Sequence, residues 1–424
     1  MMPVTALFHI AVRSVLNRRV TAALTVLSIA VSVTLFLGVE KIRSGAQAGF
    51  ANTVSGTDLI VGARSGAINL LLYSVFRIGD ATNNVTWESY REIAGRDDVA
   101  WAIPISLGDS HRGFRVMGTT GAYFDHYLTG DRQALRFSDG RQFDDLFEAV
   151  IGADVAAELG YKVDQEIVIS HGIGSVSFAS HDNLPFRIAG ILARTGTPVD
   201  RTVHVSLEGI EAIHLGWGGG AAPRGGDRPG ADEVRQLDLE PETITAFLLG
   251  LKSRIAVLKA QRDINGYEPE ALMAIIPGVA LTQLWDVVGV AETALTAIAG
   301  FVIFTGLFGL MTNVLTSLNE RRREMAILRS VGARAGHIFF LLVSEAMLLA
   351  AAGALLGLFL VQGVLWIAAP AVMEATGVFV GGMGVTAFDL TTLAAVIVLA
   401  GILAAIPAWR AYRQSLSDGL TVRI

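Results

Sequence analysis

Four long apolar stretches interrupt an otherwise mixed pattern of hydrophobic and polar positions. The first, residues 21–39, reads TAALTVLSIAVSVTLFLGV without a charge, close to the ~20 residues a helix needs to cross a bilayer core. Three more lie near the other end, at residues 287–318, 337–368 and 390–409. Between the first and second, residues 40–286 run through apolar and polar segments over a length that suits one or two compact domains. The pattern predicts one span, a large domain, then three spans.

Inside the domain, VIGADVAAELGYKVDQEIVIS from Val150 reads as a strand, a short helix stopped by Gly160, and a second strand. FRIAGILARTGTPVDRTVHVSLEGIEAI from Phe186 reads as a strand, a turn at residues 195–200, a β-branched strand at 202–205 and a short helix. ITAFLLGLKS, a helix over 254–264 and ALMAII form a second β-α-β unit ending at Pro277. An α+β domain is expected. Residues 215–236 carry the run LGWGGGAAPRGGDRPGADE, whose apolar content is too low to order itself, and they predict a flexible insertion. INLLLYSVF, residues 68–76, has two readings: core packing, or a surface that meets lipid-like cargo.

The second span stands out by length. No proline interrupts residues 287–329, and a continuous helix at ~1.5 Å per residue would far outreach a ~30 Å core. Helix must project from the membrane, as a rigid connection would.

Composition supports the membrane class: 52% of the 424 residues are hydrophobic and the mean hydropathy is +0.51. Charge then orients the chain. Arg13, Arg18 and Arg19 precede the first span, Arg321, Arg322, Arg323, Arg329 and Arg334 lie between the second and third, and Arg410, Arg413 and Arg423 follow the fourth. The loop at 369–389 has Glu374 and Asp389 but no Lys or Arg. By the positive-inside rule, segments 1–20, 319–336 and 410–424 are cytoplasmic, and 40–286 and 369–389 lie outside. The first apolar run exceeds the ~7–15 residues of a signal peptide core and no A-x-A site closes it, which favours an uncleaved anchor.

A net charge of −6 argues against a nucleic-acid partner. The lack of cysteine removes disulfides, thiolate metal sites and a cysteine nucleophile. No G-x-x-x-x-G-K-[ST] run occurs, so ATP, if required, is bound by a partner chain. The glycines of GWGGG lead into no helix before Pro223, and no nucleophile with its base is visible, so the chain is not expected to be an enzyme by itself. His171 and His181, in HGIGSVSFASH, are weak metal candidates against the plainer reading of surface histidines. Gly353 and Gly357 form a GxxxG pair suited to close helix approach in lipid, and Glu345 is an acid inside the third span.

The densest chemistry lies in LNERRREMAILRSVGARAGHIFF, residues 318–340. Met325, Leu328 and Val331 recur at helical spacing with Ile327 beside them, arginines occupy the rest, and Gly332 supplies a stop. A short amphipathic helix between two spans is expected. Two readings stay open: a topology determinant touching anionic lipid, or a helix that docks a protein.

The run ERRREMAILRSVGAR, followed by an apolar span with an early Glu, closely resembles the signature of the MacB/FtsX-like ABC transporter permeases. VIGADVAAELGYKVDQEIVI and GILARTGTPVDRTVHVSL are similar to that family's periplasmic core domain. The resemblance implies an α-helical membrane protein with four transmembrane helices (1 + 3), a large α+β extracytoplasmic domain between the first and second, and a MacB-like mechanotransmitting architecture with long stalk helices. It implies that Glu324, Met325, Ile327, Leu328 and Arg329 contact a separate ABC ATPase, present in two copies and holding ATP and Mg, with Gly332 ending the coupling helix. A second permease copy, the lipid membrane, and a periplasmic adaptor or lipoprotein are the other implied partners, and the bacterial inner membrane the location. The implied activity is to extrude or extract a lipoprotein, lipid, peptide or hydrophobic molecule. Two rivals remain: an FtsX-like signalling mechanotransmitter that activates a cell-wall hydrolase, and a component linked to metal supply. The Gly-rich insertion departs from the family pattern and leaves the partner-docking part of the domain open.

Overall fold

A computed structural model describes residues 18–53, 55–130, 132–171, 179–180, 183–215, 230–320, 322–330, 332–376 and 384–413. Its longer elements begin with helix α1 (Arg19–Thr53), strand β1 (Leu59–Ala63), α2 (Ala67–Phe76) and α3 (Trp87–Ala94). Next come β2 (Val99–His111), β3 (Phe114–Thr119), β4 (Phe137–Gly140), β5 (Glu148–Ile151), α4 (Ala153–Leu159), β6 (Phe186–Leu192), β7 (Thr202–Ser206) and α5 (Leu207–His214). The remainder is β8 (Ala246–Leu251), α6 (Val257–Asn265), β9 (Leu272–Ile275), α7 (Pro277–Glu320), α8 (Arg322–Ser330), α9 (Ala335–Thr376) and α10 (Ala387–Arg413). The described residues form two compact units. One comprises the chain up to Gly45, Gly289–Ala371 and the chain after Val380, and the other is built on Ala46–Val288.

The second unit is a mixed sheet in the order β9-β1-β8-β2-β3-β7-β5-β6-β4. Strand β1 lies between β8 and β9 and is antiparallel to both. The β8-α6-β9 crossover is therefore the expected β-α-β unit with β1 inserted at its centre, a pairing that local sequence could not reveal. Strands β5 and β6 are parallel, joined through α4, and β7 pairs parallel to β3. Both faces of β1 are covered, which explains why its five residues are all apolar or glycine. Ile60 joins the core beneath α2, while Leu59 and Val61 join the opposite core with Ile93, Ala260 and Ile264. Gly62 allows α2 its close approach: a Cβ there would stand 2.6 Å from both Leu70 Cδ1 and the Tyr73 hydroxyl.

This packing decides between the two readings of residues 68–76. The run is helix α2, and Leu70 and Leu71 are fully buried. It belongs to the core of the domain, so Leu71 offers no surface to cargo; a mostly apolar run looks the same whether it faces lipid or a sheet.

The first unit is a helix bundle, and α1, α7, α9 and α10 are each long and apolar enough to cross a membrane. Helix α1 continues beyond residue 39 to Thr53, and α7 begins at Pro277, ten residues ahead of the apolar run that marked it. Proline is favoured in a helix's first turn, where its missing N–H has no partner to lose, and fixes this start. At ~1.5 Å per residue, the 35 residues of α1 and 44 of α7 exceed a ~30 Å core by tens of ångströms. The bundle core is Ile29, Val33 and Leu37 of α1 against Leu307, Leu310, Ala350, Ala354, Val396 and Ala400. Small residues at these contacts let the backbones draw together, which is what packs helices in lipid.

Candidate coupling site

Helix α8 lies between two membrane-spanning helices, and its nine residues are held by their inward face. Met325 is buried with Leu318 of α7, Ile338 and Leu342 of α9 and Ala408 and Ala411 of α10, and Ala326 beside it is buried too. The opposite face carries Glu324, Ile327 and Ser330, three residues apart and all exposed. Ile327 is 54% exposed despite its apolar side chain. Arg329 is half-buried at the margin. The helix ends where Gly332, at φ +102°, donates its N–H to Arg329 O at 3.1 Å. A side chain would be strained in that conformation, so glycine is the apt stop.

The residues expected to meet an ATPase thus divide. Glu324 and Ile327 face outward, whereas Met325 is 9% exposed and packs in the chain's own core. The expected stripe of Met325, Leu328 and Val331 identified an apolar face without saying what it packs on. The Leu328 side chain and Val331 lie outside the described residues.

Gly353 and Gly357 of α9 are placed against α1. A Cβ on Gly353 would lie 2.8 Å from Ile29 Cβ and 2.9 Å from Val26 O, and one on Gly357 would lie 2.7 Å from Ala30 O. Thr34 Oγ1 donates to Gly357 O at 3.1 Å across the same crossing. Glu345 is half-buried on α9, at a cavity of ≈ 20 Å³ that Thr21, Asn313 and Ser317 also line. That volume suffices for about one water molecule. Nearby, the Asn313 side-chain amide donates to Thr25 Oγ1 at 3.0 Å, tying α7 to α1.

A second polar cluster escaped the sequence reading. Lys41 of α1 and Asp389 of α10 form a buried ion pair of 2.9 Å. Lys41 Nζ also donates to Gly384 O at 2.9 Å, and that carbonyl accepts the Gln362 amide of α9 at 3.0 Å. Asp389 completes a capping box: its carboxylate accepts the Thr386 N–H at 2.8 Å, and its own N–H donates to Thr386 Oγ1. The spacing Thr386-x-x-Asp389 ahead of an apolar run was a visible signal for the cap. Nothing in it named Lys41.

His171 closes a short strand opposite Asp109, while its side chain and all of His181 lie outside the described residues. Among the described residues, no group of three or more His, Cys, Asp or Glu could hold a metal. The insertion at 215–236 falls mostly outside them too.

Two family descriptions match the chain. "FtsX-like permease C-terminal" covers residues 296–416, including α8, and "MacB-like periplasmic core domain" covers residues 22–261, more than half of the chain. The chain belongs to the MacB/FtsX-like permeases. As an ABC permease of this family it is a multi-pass membrane protein with a large mixed α+β domain of the extracytoplasmic kind. Among relatives, it is 24% identical over 428 residues to the macrolide export ATP-binding/permease protein MacB of Nitrobacter winogradskyi, a match covering 95% of this chain and 58% of that protein. It is 29% identical over 236 residues to the pyoverdine export ATP-binding/permease protein PvdT of Pseudomonas aeruginosa, covering 54% of this chain and 33% of that one. The permease spans about half the length of the curated relatives it matches. The periplasmic region of MacB from Actinobacillus actinomycetemcomitans aligns with a TM-score of 0.34 and 9% identity, over 55% of this chain and 94% of that one.

Proposed function

We propose that this permease is the membrane subunit of a MacB/FtsX-type transporter in which separate ATPase subunits, two copies with ATP and Mg, dock on the outward face of α8. The observation that carries this reading is the division of α8. Met325 joins the ends of α7, α9 and α10, so a push on Glu324 and Ile327 is delivered to three membrane-spanning helices at once. The lengths of α1 and α7 suit stalks that carry this motion to the outer domain, and two copies of the chain would form the working assembly. Both termini and α8 are cytoplasmic and the large domain is periplasmic in the bacterial inner membrane. Export proteins among the relatives favour outward movement of cargo over signalling to a hydrolase. A lipoprotein, lipid, peptide or hydrophobic molecule, handled with a periplasmic adaptor, fits the family.

Ile327→Asp tests the docking face. The substitution sits on an exposed position and leaves the inward core intact, so the purified variant keeps its thermal midpoint in nanodiscs. It loses co-purification of the ATPase and at least ten-fold of the permease-dependent ATP hydrolysis, a loss worth about 1.4 kcal/mol or more of coupling. Wild-type hydrolysis and retention of the ATPase in the variant would refute the docking face.

A further inference from the structure

We infer that Lys41 and Asp389 are a positioning pair that clamps α1, α9 and α10 into one body where the three meet, leaving residues 289–298 of α7 as the segment that shifts. The mechanical half of this inference rests on the permease reading above. The clamp itself rests on the bundle.

Three helices meet at the pair. Lys41 brings α1, Asp389 is the N-terminal carboxylate of α10, and the Gly384 carbonyl accepts both Lys41 and Gln362 of α9. Just below, the rings of Phe36 and Phe388 stack with centroids 6.0 Å apart, and a Cβ on Gly38 would touch Val361 Cγ2 at 3.7 Å. The side chains of Lys41 and Asp389 are only 5% and 2% exposed. A charge so buried is costly unless paired, and parting the two would leave each stranded in a medium of low polarity. Every charge-bearing atom at this knot therefore resists separation of α1 from α10. Among the described residues, helix α7 shows no buried ion pair to α1: its first turns pack in the domain core, where Trp285 meets Phe50 of α1 edge to face at 5.5 Å, but no residue from 289 to 298 is buried, and a Cβ on Gly289 or Gly300 would meet nothing within 4 Å. A displacement entering at α8 accordingly finds its softest path along α7.

The chain has no native cysteine, so paired nitroxide labels read these distances directly on the whole chain in nanodiscs. Ser44→Cys with Leu390→Cys reports α1 against α10, and Ser44→Cys with Ala294→Cys reports α1 against α7; all three positions are exposed. Lys41→Met is expected to at least double the width of the α1–α10 distance distribution, while Lys41→Arg, which keeps the charge, stays narrow. An unchanged width in Lys41→Met overturns the clamp. With Lys41 intact and the ATPase present, trapping with ADP and vanadate is expected to move the α1–α7 distance and not the α1–α10 distance. If α1–α10 moves as far, the clamp is overturned even should Lys41→Met fail to fold. If neither distance responds, the coupling reading fails, and the Lys41→Met comparison still decides the clamp.

Discussion

At the scale of single residues, burial sets protonation in the outer domain. His204, on β7, has no exposed surface; its Nδ1 lies 3.2 Å from Val150 O and its ring 5.1 Å from that of Tyr123. Burial, reinforced by the Arg77 guanidinium, lowers the imidazole to about 3. An unfolded histidine titrates near ~6.5, so between these values the unfolded chain binds the extra proton. Stability then rises with pH across that window and is lost as pH falls from about 6.5 towards 3. Thermal unfolding followed by tryptophan fluorescence is expected to show this loss. His204→Phe, which cannot take the proton, gives a shallower slope over the same window, whereas an identical slope would contradict the burial argument. His214 behaves oppositely: burial pulls its pKa down, but the Asp109 carboxylate at 3.3 Å outweighs this and raises it.

At the scale of elements, the same apolar spacing serves different ends. Helix α2 and the inward face of α8 are both core, yet one lies on a sheet and the other on helix ends. The α1–α9 crossing depends on the absence of a side chain at Gly353 and Gly357. Gly353→Val would drive a Cβ to 2.9 Å from the Val26 carbonyl, a backbone atom that cannot yield by rotating. Overpacking of this kind costs about 1–3 kcal/mol. The variant is expected to unfold several degrees lower in detergent, while Gly363→Val, with nothing within 4 Å of its added Cβ, serves as the control. Equal midpoints for the two would show that the helices are less closely packed than the geometry requires.

At the scale of the whole molecule, topology is the testable consequence of the arginine clusters. Ser330 on α8 and Ser138 on β4 are both exposed, and a cysteine at either is the chain's sole thiol. In intact cells a membrane-impermeant maleimide, given access to the periplasm, is expected to label Ser138→Cys and spare Ser330→Cys, with both labelled after lysis. The reverse result would invert the assignment.

Hydrophobic runs of bilayer length, the arginine clusters and the ERRREMAILRSVGAR signature were sufficient in the sequence to indicate four spans, one intervening domain and the family, because each is a local property of consecutive residues. Strands at Val150, Phe186 and Thr202 were legible for the same reason. Tertiary structure alone placed β1 between β8 and β9, turned Met325 inward and Ile327 outward, seated Gly353 and Gly357 against α1, and paired Lys41 with Asp389. Each of these depends on which distant segment supplies the other half of a contact. An apolar or charged residue states what it needs as a neighbour, and only the folded chain supplies which one it receives.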